Sequence, residues 1–145
     1  MTPTYIGRLQ TRYFLLFIVG LPVTFFWALI SAGFGGGIGF FVPFINLALV
    51  AAFGFMWDGL YMFLQSFRWD RDWPPIFQLG EGFLESFWVL FINVIFWGLS
   101  SGVFPLNIFL FALHYWSVFW FVFWMTQGPL RILFPRWRFT GGRIF

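Results

Sequence analysis

The sequence predicts an all-α, polytopic membrane protein: four transmembrane helices arranged as two helical hairpins, with the N and C termini both cytoplasmic. Three observations predict it. Hydrophobic residues make up 61% of the 145-residue chain and charged residues 9%, against about a quarter charged in soluble domains. Two tracts without any charge, Tyr13 to Trp57 and Ser86 to Leu130, are each about twice the roughly 20 residues that cross a bilayer. All 8 basic residues are arginines, and they flank these tracts rather than entering them.

Each tract is interrupted midway by turn residues. Ser31 to Gly39 reads SAGFGGGIG, too rich in glycine for a stable helix interior. Ser100 to Pro105, SSGVFP, acts the same way in fewer residues. The expected helices are therefore about 12–30, 40–67 with its cytoplasmic end beyond Trp57, 82–99 and 104–125, all in one domain. Residues 68–81 form a cytoplasmic loop and 126–145 an Arg/aromatic tail. Arg8 and Arg12 precede the first apolar run, which at about 18 residues exceeds a signal peptide's core of 7–15 and reads as a retained span.

Orientation follows from the arginines. Arg8 and Arg12 lie before the first helix, Arg68 and Arg71 between the second and third, and Arg131, Arg136, Arg138 and Arg143 after the fourth. An even number of spans puts all of them on one side, which the positive-inside bias makes cytoplasmic. The expected location is a prokaryotic cytoplasmic membrane or a thylakoid-type one. Basic residues set at helix ends form no stripe, so nucleic acid is not an expected partner. The absence of cysteine excludes disulfides and thiolate metal sites.

The central segment Gln65 to Ser86 holds four of the five acids, Asp70, Asp72, Glu81 and Glu85, with Arg68 and Arg71. As a structural cap, its exposed pairs contribute little, about 0–1 kcal/mol each. If Asp58 or Glu85 lies below the headgroups it needs a partner, and Arg68 or Arg71 is nearest in sequence. As a recognition surface, Arg68, Asp70, Arg71, Asp72, Trp73, Glu81 and Glu85 would join Arg136, Trp137 and Arg138 of the tail in docking another subunit. The tail, Arg131–Phe145, alternates arginine with Trp137, Phe139, Ile144 and Phe145, which suits anionic headgroups or a partner's groove.

Within the spans, Thr24, Asn46, Asn93 and Asn107 fall at comparable depths and read as interhelical hydrogen-bonding groups, with no ionisable member. His114, the only histidine, sits near the middle of the fourth helix, and an intramembrane ionisable residue is a functional candidate. It suits a satisfied structural histidine, a ligand to chlorophyll or haem, or a proton relay. Trp116, Trp120 and Trp124 recur every four residues on another face, fit to pack on a subunit, a lipid, or a carotenoid or quinone. A cofactor is not required.

Phosphate-loop, Ser-His-Asp and HExxH patterns are absent, so the chain is expected not to be an enzyme. The function expected is a non-catalytic accessory or structural subunit of a larger membrane complex, docked through aromatic spans and the charged patch. The alternatives are a pigment- or quinone-contacting subunit of a photosynthetic or respiratory complex, and a small oligomeric channel or transporter. The last is disfavoured because no single span carries a long polar face and no pair of broken helices marks a site. Labelling or protease access should find the glycine-rich turn and the last dozen residues in opposite compartments. Reaching both from the same one would contradict the four-span topology.

Overall fold

A computed structural model describes residues 3–144, and among them the chain is helical with no strand. Four helical stretches are long and apolar enough to cross a membrane: α1 Tyr5–Phe34, α2 Gly36–Ser66, α3 Pro75–Leu99 and Ile108–Leu133. The last comprises α4, Ile108–Gln127, and after Gly128 the short α5, Pro129–Leu133. A single 3-10 turn, Pro135–Arg138, follows.

Helix α1 starts at Tyr5, a full two turns before the expected Arg12. Thr4 caps it by accepting a hydrogen bond from the Gly7 amide at 3.2 Å. Arg8 and Arg12 thus sit inside the helix, because a charge with a partner does not end one. At Leu16–Gly20 the helix widens into a π turn, closed by the Leu21 N–H bonding to the Leu16 carbonyl. Pro22 follows at once, and the wider turn accommodates the ring that an ordinary α turn would resist.

The glycine-rich stretch is not the extended loop expected. Helix runs through Phe34 and resumes at Gly36, and Gly36 itself holds φ 61°, ψ −154°. That region is open essentially to glycine alone. Nearby, a Cβ on Gly39 would strike the Ser31 carbonyl, so α1 and α2 touch backbone to backbone beside the turn. Farther on, Tyr5 and Tyr13 donate from their hydroxyls to the carbonyls of Phe55 and Ala51, at 3.2 and 3.1 Å.

Helix α3 also starts early, with Pro75 in its first turn behind an extended Pro74. Its end is turned by Gly102 at φ 83°, and the Ser100 hydroxyl accepts from the Phe104 amide at 3.0 Å. Asn107 caps α4, accepting from the Leu110 amide at 3.0 Å. It therefore serves its own helix terminus rather than a neighbouring helix.

The bundle is apolar outside and mixed inside. Phe17, Phe26, Phe87 and Phe109 are mostly exposed, while Thr24, Asn46, Asp58, Glu85, Asn93 and His114 are buried. Three small apolar clusters fill the gaps: Leu15 with Leu130 and Trp137, Leu16 with Leu47 and Val118, and Val89 with Phe111 and Tyr115. Glycines allow close crossing. A Cβ on Gly82 would enter the Phe119 ring, and one on Gly54 would meet the Arg12 side chain.

The tail folds back on α1, with Trp137 turned inward and Phe139 left exposed. Trp137 is buried and its Nε1 donates to the Thr11 hydroxyl at 2.8 Å; that hydroxyl donates to the Gly142 carbonyl, also at 2.8 Å. The Thr4 amide donates to the Gly141 carbonyl at 2.8 Å and the Ile144 amide to Gln10 Oε1 at 3.1 Å. Arg136, Arg138 and Arg143 remain exposed. Phe145, the last residue of the expected docking segment, lies outside the described residues.

Gly7 lies so close to Gly141 that a side chain there would displace the tail. Trp137→Ala should lower stability by about 3 kcal/mol, and both it and Gly7→Ala should open the tail to protease. Thermal unfolding in detergent with limited proteolysis checks this. Unchanged midpoints and cleavage in both variants would contradict the docking.

Candidate functional site

Arg12 of α1 reaches two carboxylates at once. Its Nε and Nη2 donate to Asp58 of α2 at 2.9 and 3.0 Å, and its Nη1 and Nη2 donate to Glu85 of α3, each at 2.8 Å. Both acids are buried, and the space beside Gly54 admits the arginine stem. One turn earlier on α1, Arg8 Nη1 donates to Glu81 Oε1 at 3.0 Å and Nη2 to Gln65 Oε1 at 3.4 Å. Its guanidinium stands over the Trp73 ring at 4.9 Å, a cation–π contact. In this cluster two guanidiniums face three carboxylates, a formal balance of one negative charge.

The partner expected for Asp58 or Glu85 was Arg68 or Arg71; it is Arg12, from the other end of the sequence. Proximity along the chain lost to helix register. Arg68 pairs instead with Asp70, at 2.9 Å, and lies over the Phe77 ring. Its donated hydrogen bonds hold the Asp70 carboxyl below the usual carboxylate range. Arg71 is exposed, and its carbonyl accepts from Gln65 Nε2 at 2.7 Å. Asp72 lies half-buried at the rim of the interior.

The residues anticipated as one docking surface are thus divided. Glu81 and Glu85 turn inward, Trp73 lies under Arg8, and Trp137 is buried on α1. Arg71, Arg136 and Arg138 stay on the outside.

Deeper in the bundle lies a second polar layer. Asn93 Nδ2 of α3 donates to Asn46 Oδ1 of α2 and to the Val89 carbonyl, each at 2.8 Å. His114 Nε2 of α4 shares a hydrogen bond with the Thr24 hydroxyl of α1 at 3.0 Å. Trp27 Nε1 donates to Ser117 Oγ at 2.7 Å. An ionisable group does belong to this level, contrary to expectation: His114, 4% exposed, whose Nδ1 has no hydrogen-bond partner.

Trp116, Trp120 and Trp124 do not converge with it. Trp116 packs on Phe83, and Trp120 and Trp124 turn outward. No group of three or more metal-ligating side chains is assembled among the described residues.

Two cavities join these layers. The larger, about 340 Å³, is lined by Asp72, Trp73, Arg131 and Arg138, by Arg12, Asp58 and Glu85, and by Asn46 and His114. The smaller, about 220 Å³, runs from Ser31, Gly39, Pro43 and Asn107 to Asn93, Asn46 and His114. On α2 alone, the lining residues run from Gly39 to Asp58, about 29 Å apart at 1.5 Å per residue. That matches the roughly 30 Å hydrocarbon core of a bilayer.

This composite interior escapes a helix-by-helix search, since each helix lends it only one or two polar groups per level. A signal was nonetheless present. Arg8/Arg12 and Glu81/Glu85 are both spaced four apart, so each pair occupies one helical face, and the two ladders have opposite sign.

Replacing Arg12 by Gln would leave two buried carboxylates unpaired and should cost at least about 3 kcal/mol. Asp58→Asn leaves one matched pair with Glu85 and should cost clearly less. Unfolding of both variants in mixed detergent measures the difference, and equal losses would contradict the clamp. Compared with known proteins, the chain matches no family model, no curated protein and no solved structure.

Proposed function

We propose that the chain is a small, non-catalytic membrane transport protein whose path runs inside the four-helix bundle. In this reading the spans form two hairpins, and the arginine-rich end, with both termini, faces the cytoplasm of a prokaryotic or thylakoid-type membrane. The single supporting observation is that two cavities from opposite ends of the bundle share Asn46 and His114. The objection that no span has a long polar face loses its force, because four helices contribute the lining jointly. Irregular helix is also where transport sites are built; here a π turn lies on α1 and Pro43 lines the smaller cavity.

A second reading has its own support. Trp120, Phe121 and Trp124 present an exposed aromatic face, 40%, 48% and 61% accessible, of the kind another subunit covers. The protein would then also be an accessory subunit of a larger complex, a role compatible with transport.

Purified protein in proteoliposomes should carry ions or small polar solutes down a gradient, and Asn46→Leu should reduce that flux to the level of empty vesicles. Equal leakage with and without protein, for every species tried, would defeat transport. Gentle detergent extraction with size analysis tests the second reading, and a lone protomer would count against it.

A further inference from the structure

We propose that the species transported is the proton and that His114 is its shuttle. This rests on the transport reading above. The place where the cavities meet is closed by side chains: the Asn46–Asn93 bond at 2.8 Å, the Thr24–His114 bond at 3.0 Å, and buried Leu47, Phe111 and Val118. A hydrated ion or a solute would have to part these bonds and give up its own water at mid-bundle, where charge is costly. A proton needs no opening for a heavy atom. It needs a group at the constriction that accepts on one side and releases on the other.

Among the described residues, His114 is the only titratable side chain lining both cavities. Its Nε2 is occupied by the Thr24 hydroxyl while Nδ1 has no protein partner, although the residue is 4% exposed. Each cavity is several times the roughly 30 Å³ share of one water molecule and carries polar groups, the conditions under which cavities hold water. With Nε2–H donating to Thr24 Oγ1, the Nδ1 lone pair takes a proton from a hydronium ion in the smaller cavity, whose O–H bond breaks to leave water, and an imidazolium forms. A tilt of the ring then brings Nδ1–H to the larger cavity, where that bond breaks as a water molecule takes the proton and becomes hydronium, and the neutral ring is restored. One proton crosses: one O–H bond breaks on the entry side and one forms on the exit side.

The larger cavity is suited to receive it. Its titratable and charged groups are Arg8 and Arg12 on α1, Asp58 on α2, Glu81 and Glu85 on α3, and Tyr115 on α4, with Asp72, Arg131 and Arg138 at the mouth. The inner five carry one formal negative charge in excess, an electrostatic sink for a proton leaving His114. The smaller cavity has no charged side chain in its lining. The route is therefore asymmetric, with a neutral antechamber and a charged exit.

The test uses full-length protein in vesicles containing a pH-sensitive dye, with a potassium gradient and valinomycin setting the potential. Wild type should admit protons and reverse at the proton equilibrium potential. His114→Gln, which keeps a hydrogen-bonding partner for Thr24 but cannot titrate, should lower proton flux by roughly a hundredfold, the scale of losing a positioned acid–base group. Arg136→Gln, on the exposed tail, should conduct like wild type.

Because the chain has one histidine, its imidazole ¹⁵N signals in lipid are unambiguous. They should show protonation over the pH range in which flux saturates, and this measurement decides if the variant does not fold. Undiminished flux in a folded His114→Gln, or a ring that never protonates in that range, overturns the shuttle. Passage of other ions or solutes without protons overturns the proton assignment and leaves transport standing. Passage of nothing overturns both.

Discussion

The four-pronged contact of Arg12 with Asp58 and Glu85 is the constraint on which the bundle depends. A carboxylate buried among packed helices is stripped of most of its hydration, so it either finds a cation or costs several kcal/mol. A guanidinium presents its donors in a rigid planar fork, and two carboxylates can dock on its edges only from fixed directions. The contact therefore sets distance, rotation and axial register for α1, α2 and α3 together. Asn46 and Asn93 meet, and Thr24 lies beside His114, at the depth that this register dictates.

Apolar packing plays the secondary part. Lipid is as hydrophobic as leucine, so burying leucine against leucine gains little in a membrane, and association falls to close packing and polar contacts. The molecule accords with this. Its apolar clusters are small and discontinuous, its large phenylalanines point outward, and glycines sit where a side chain must cross another helix, Gly54 under Arg12 and Gly82 under Phe119. The tail closes the charged end, held by Trp137, by the Thr4 amide on the Gly141 carbonyl and by the Thr11 hydroxyl on the Gly142 carbonyl.

Buried polar chemistry is accordingly concentrated in the interior rather than on the surface. Acids that might have greeted a partner are turned inward and matched with arginines. What remains outside is aromatic surface suited to lipid or a neighbouring subunit. What remains inside is a pair of cavities, largely apolar in lining, that share Asn46 and the imidazole of His114.

The sequence by itself determined the class and the number of spans. Long uncharged tracts, with arginines at their ends, admit few alternatives in a hydrocarbon slab whose thickness fixes helix length. It also marked Ser31–Gly39 and the neighbourhood of Ser100 as turning regions, because glycine loosens the backbone and proline restricts it. Helix ends were less legible: Thr4 and Pro75 start their helices earlier than the charge pattern suggested, since capping is local chemistry and charge only a proxy. The tertiary structure alone decided which charges pair, which side of each helix faces inward, and where the tail goes. Those outcomes depend on rotation and axial shift between helices, degrees of freedom that a one-dimensional pattern leaves open until an arginine on one helix meets the carboxylates of two others.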